Sequence, residues 1–213
     1  MTDISKLIAQ EMDKAGAVLH SYPWQDPRAY GMWLAQTYHM VTHTTRLLAL
    51  AGASFPIEQT RLHNRFVDHS KEERGHEKVC IQDIKALGYE LSDFPKLYQS
   101  EVMYQIQYYW IQHRNPVSFF GYTLALECLA ERFGAPVGKM LIEKHGMEAT
   151  KFVRLHSEDD IEHTQESYKL IETMSEHEKA LIAENLVLSS SIYRSMVVEA
   201  KVRCDDIGLK RSA

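Results

Sequence analysis

Little punctuates this chain of 213 residues: ten glycines, six prolines and three cysteines. So few glycines and prolines exclude collagen-like and low-complexity classes, and an apolar fraction of 45% excludes a disordered chain. Cys80, Cys128 and Cys204 are odd in number, widely spaced and without a Cys-x-x-Cys pair, so neither a disulfide framework nor a thiolate zinc site is expected, and a reducing cytoplasm fits. Basic runs never exceed two residues, and the net charge is −5, which leaves no footprint for a nucleic-acid backbone. Long apolar runs are missing too. The least charged one, 47–57, is interrupted by Gly52, Ser54 and Pro56 and falls far short of the ~18 residues of a membrane span. The N-terminal segment mixes Asp, Lys and Glu at helical spacing, unlike a signal or transit peptide. A cytoplasmic protein with neither nucleic acid nor membrane as partner is the expectation.

Alternating strand patterns are absent as well. Apolar residues recur at intervals of three and four, which predicts an all-α domain over 1–213 with seven or eight helices and a frayed tail at 205–213. The expected helices are 4–19, 26–52, 58–88, 96–113, 117–133, a short one from Pro136 to Gly146, 148–174, and one from Ser175 to about Cys204. Ser175 and Glu178 make a capping box for the last.

What the chain has in plenty is histidine, 11 in all, and several are patterned. His156, Asp160 and His163 stand at i, i+4 and i+7, within about 60° of one another around a helix. Glu73 and His76 form a Glu-x-x-His pair, the spacing by which a bundle helix lends a carboxylate and an imidazole to one metal. Glu127 is a lone acid in the apolar turn Gly121 to Ala130, where a charge needs a partner. Each element has an ordinary reading by itself, a solvated face or a pair with arginine. Together they offer three imidazoles and three carboxylates on three helices, a donor set suited to Fe(II) or Mn(II) and large enough for two ions per chain. Two Fe(II) ions against three carboxylates leave a net positive charge of about one, which suits an anionic substrate group or a reduced oxygen species and hints at a substrate carboxylate.

At these residues the chain resembles the heme-oxygenase-like diiron oxidases and oxygenases, or iron-containing redox enzymes. The resemblance runs through 38–46 (YHMVTHTTR), 69–77 (HSKEERGHE), 121–127 and 156–163. It implies a heme-oxygenase-like helical bundle without heme, with Glu73, His76, Glu127, His156, Asp160 and His163 as iron ligands. It also implies dioxygen as co-substrate in the oxidation of a small metabolite. His69, one turn before Glu73, is a further ligand or a neighbour of the ligands, while Glu72, Glu131 and Asp159 are weaker alternates. Tyr38, His43, Tyr104 and Tyr108 are the expected lining of a substrate pocket. A homodimer is compatible with the apolar helix surface. Competing expectations are a metal-free thiaminase-II-like hydrolase using Cys80 or Cys128, a cofactor-free oxidase, and a ferritin-like iron-handling protein. The last is disfavoured because no acid occurs from Pro27 to Ile57.

Overall fold

Asp3 starts the first helix, its carboxylate accepting from the Lys6 amide at 2.9 Å. The i, i+4 stripe Ile4, Ile8, Met12, Ala15 and Leu19 then buries one face of α1 (Ile4–His20). The computed structural model describes residues 3–204 and Ile207, and for 157–166 the helical backbone without the side chains. Among the described residues there are nine α-helices and no strand. After α1 come α2 (Pro27–Val41), α3 (Thr44–Ser54), α4 (Thr60–Glu72), α5 (His76–Ala86), α6 (Tyr98–His113), α7 (Phe119–His145), α8 (Lys151–Glu172) and α9 (Glu176–Arg203). The all-α expectation holds, while positions 205–206 and 208–213 of the expected frayed tail lie outside the described residues.

Three boundaries differ from the sequence reading. The run expected from 26 to 52 is interrupted at Thr42 and His43, where the Thr42 hydroxyl donates back to the Tyr38 carbonyl at 2.7 Å. Such a bond competes with the helix ladder and bends it. The run expected from 58 to 88 breaks at Glu73–Gly75, with Gly75 in the left-handed region at φ +95°. That conformation favours glycine and ends helices. Conversely, α7 continues through Pro136, where two helices were expected. The proline forfeits one ladder bond, but α7 packs extensively against α8 and α9. The Ser175 and Glu178 capping box forms as expected, with the Ser175 amide donating to Glu178 at 2.8 Å.

Helix α7 is the central rod, flanked by α8, α9 and α1, while α3 lies on α4 and α2 packs on α5, α6 and α9. Gly121 permits the close crossing of α7 and α9, since a β-carbon there would collide with the Ile182 carbonyl and the Leu186 amide. Gln36 fixes α2 by donating to the Pro95 carbonyl at 2.9 Å and accepting from the Leu97 amide and the Ser100 hydroxyl. Asp83 of α5 accepts from the amides of Lys151 and Phe152 at 3.2 and 2.8 Å, so α5 caps the start of α8. Burial pushes the Asp83 carboxyl up to about 6, and these two amide bonds offset it only in part. Among the described residues no helix is long and apolar enough to cross a membrane.

Candidate metal centre

The break at Gly75 shapes the site. Glu73 is the last cap residue of α4 and His76 the first residue of α5, so the Glu-x-x-His pair does not lie on one continuous helix face as its spacing predicts. The two side chains still meet, with His76 Nδ1 3.1 Å from Glu73 Oε2. From α8, His156 brings its ring to 4.9 Å from that of His76. One potential ligand atom from each of Glu73, His76 and His156 falls within 4.8 Å of the others. The His156 Nδ1 is 2.9 Å from the Phe152 carbonyl. Donation there fixes the tautomer and puts the ring lone pair on Nε2, the usual arrangement for a ligating imidazole.

Glu127 enters from α7 and is reached through His69. The His69 Nε2 lies 3.5 Å from Glu73 Oε1 and 3.6 Å from Glu127 Oε1, and all three side chains are buried. Both Glu127 oxygens are buried without a hydrogen-bond partner among the described residues. A buried carboxylate in that state needs a cation or a proton. Burial raises the Glu127 carboxyl, opposed by His69 and Arg65 and reinforced by Glu73 and Glu72. For Glu73 burial also acts upward, but hydrogen bonds to His69 and His76 prevail and hold it well below the ordinary carboxylate range. The environment thus favours the anion at Glu73, while at Glu127 it disfavours a charge that no cation balances. Orphaned carboxylate oxygens beside a Glu, His, His cluster fit a divalent cation of the iron type.

Of the six predicted ligands, Glu73, His76 and His156 come together and Glu127 adjoins them through His69; Asp160 and His163 have side chains outside the described residues, as does Asp159. The alternates Glu72 and Glu131 are solvent-exposed.

An apolar cavity of about 140 Å³ opens at this cluster, with His69, Glu73, Glu127 and His156 at its polar part and Trp33, Phe152 and Leu126 among its walls. The expected pocket residues lie elsewhere. None of Tyr38, His43, Tyr104 and Tyr108 lines the cavity. Instead His43 stacks on Tyr104 with ring centroids 3.7 Å apart, and its Nδ1 is 3.0 Å from the Tyr108 hydroxyl. The interruption at Thr42 and His43 accounts for this, because α2 presents Thr37, Met40 and Val41 to the cavity and the chain then turns His43 toward α6. Thr37 and Tyr122 line the cavity and were missed. Tyr122 stands five residues before Glu127, a cue that spacing alone does not separate from core packing.

The chain belongs to the iron-containing redox enzyme family, whose model matches residues 32–188. Its fold is that of the heme-oxygenase-like proteins. It is similar to a domain of unknown function with a heme oxygenase-like fold from Shewanella denitrificans, with a TM-score of 0.83, 21% identity and coverage of 99% of this chain and 98% of the other. A TenA homologue from Pseudomonas syringae pv. tomato superposes with a TM-score of 0.73 at 13% identity, covering 94% and 92%. A TenA homologue from Pyrococcus furiosus gives 0.70 at 15%, covering 93% and 100%. No curated protein matches the sequence significantly.

Proposed function

We propose that the protein is an iron-dependent oxidase or oxygenase that uses dioxygen to oxidise a small molecule held in the cavity beside Glu73 and Glu127. The carrying observation is the meeting of Glu73, His76 and His156 within 4.8 Å, next to a buried Glu127 whose oxygens make no hydrogen bond among the described residues. Glu73, His76, Glu127 and His156, joined by Asp160 and His163 one and two turns further along α8, would hold iron, two ions per chain. Bound iron supplies the electrons that dioxygen requires. The chain's own residues do the rest. The Phe152 carbonyl orients His156, and His69 sets the two carboxylates about one imidazole. The apolar walls exclude water, which protects a reactive oxidant from side reactions.

A thiol hydrolase on the same fold is the competing reading. The cavity argues against it, because neither Cys80 nor Cys128 lines it and both are buried. Burial pushes the Cys80 thiol up, the opposite of an activated nucleophile. The test is anaerobic loading with Fe(II), metal analysis, and stopped-flow mixing with oxygen. The expected result is close to two irons per chain and a transient visible band, both lost in Glu127→Ala and Asp160→Ala. Absence of iron uptake, or full hydrolytic activity in metal-free protein that iodoacetamide abolishes, would overturn it.

A further inference from the structure

The cavity walls limit what can be oxidised there. No lysine or arginine lines the cavity among the described residues, and its charged groups are the acids and imidazoles of the candidate metal centre. A substrate carboxylate would therefore find no cation in the wall itself, and an ionised group placed away from the metal would be buried without a partner. Two hydroxyls of the wall bear on how a substrate is held. Thr37 on α2 and Tyr122 on α7 are 5% and 1% exposed, and the Thr37 Oγ1 completes no hydrogen bond among the described residues. The Tyr122 hydroxyl has the Thr44 side chain as a hydrogen-bonding neighbour and keeps capacity for a further partner. A buried hydroxyl with unmet hydrogen-bonding capacity is uncommon and offers a place for a missing partner.

On the reading that this is the oxidation site, we infer that its substrate is a neutral, largely hydrocarbon molecule with one oxygen function, held by the hydroxyls of Thr37 and Tyr122. The size follows from the cavity. An apolar void of ~150 Å³ takes up benzene, so a space of about 140 Å³ receives roughly six to eight non-hydrogen atoms. This differs from the carboxylate-bearing metabolite expected from charge balance alone, since that balance leaves out the composition of the wall.

Two of the three tryptophans, Trp24 and Trp33, line the cavity, so intrinsic fluorescence reports its occupancy without turnover. The experiment titrates the full-length metal-free protein with 1-hexanol, hexanoate, 6-amino-1-hexanol and benzene. A saturable response to 1-hexanol is expected, with both charged analogues binding at least about tenfold more weakly. The double variant Thr37→Val, Tyr122→Phe should lose roughly tenfold in 1-hexanol affinity and bind benzene as the wild type does, which shows that its cavity is intact. Equal binding of a charged analogue, no saturable response to 1-hexanol, or a double variant that binds 1-hexanol unchanged would overturn the inference. Iron uptake without a 1-hexanol response defeats this inference alone. A 1-hexanol response without iron uptake defeats the iron reading alone.

Discussion

The His69 imidazole and the Glu127 carboxylate meet between α4 and α7, with Nε2 3.6 Å from Oε1, while the same nitrogen lies 3.5 Å from Glu73. One imidazole thus stands between two buried acids, in the position where a cation would neutralise both. In metal-free protein it is the main favourable electrostatic neighbour of Glu127, and Glu73 also leans on it.

Replacing His69 by alanine should therefore destabilise the metal-free protein by about 1–3 kcal/mol, the usual range for a buried polar group that loses its partner. Saturating Mn(II) should recover most of this, so the metal-induced rise in Tm is larger in His69→Ala than in the wild type. Thermal melts with and without Mn(II) decide the matter. A smaller metal-induced rise would make His69 a ligand instead.

Glu127 sets a pH dependence whose sign is fixed by its environment. Its carboxyl is raised by burial, so folding of the metal-free protein favours the protonated form more than the unfolded chain does. The stability contributed by this group is complete below the ordinary carboxylate range and is lost as pH rises through the raised folded value. Glu127→Gln should accordingly be more stable than metal-free wild type at pH 8, with the gap closing toward pH 5 in urea denaturation. Metal affinity has the opposite slope, since ions compete with protons for Glu127 and the imidazoles, and it should fall below about pH 6. An affinity that is flat from pH 8 to 5 would contradict the assignment of these ligands.

Asp83 ties the two imidazole-bearing helices together, accepting from the Lys151 and Phe152 amides at the start of α8, four residues before His156. Asp83→Ala strands both amides and should cost about 2 kcal/mol, together with a measurable drop in metal affinity as His156 loses its register. Asp83→Asn keeps one acceptor oxygen and removes a buried charge. With the folded carboxyl at about 6, the stability this group contributes is lost as pH rises through that value. The asparagine variant should therefore gain on the wild type between pH 5 and pH 8. Denaturant midpoints at the two pH values, read beside metal titrations, check both effects.

Features carried by short stretches of chain were legible before the fold was known. The capping box at Ser175 and Glu178 and the buried stripe of α1 need only helical periodicity and one turn of backbone. Gly75 was a local signal as well, a glycine able to take positive φ, but the strong helical pattern on either side obscured it. At Pro136 the local rule pointed the wrong way, because packing along α8 and α9 outweighs one missing ladder bond. The candidate site divides along the same line. Residue types and spacing singled out Glu73, His76, Glu127 and His156, since metal-binding chemistry is written in side-chain identity.

The sequence by itself determined the all-helical class and the order of the candidate donor groups along the chain, because periodicity and ligand chemistry are properties of neighbouring residues. Only the tertiary structure decided that His69 stands between two acids, that Thr37 and Tyr122 rather than His43 and its tyrosines face the cavity, and that the wall carries no lysine or arginine among the described residues. Those outcomes depend on how α2, α4, α7 and α8 are rotated and seated against one another. That arrangement is set by long-range packing, such as the Gly121 crossing and the Gln36 and Asp83 hydrogen bonds, which no single helix encodes.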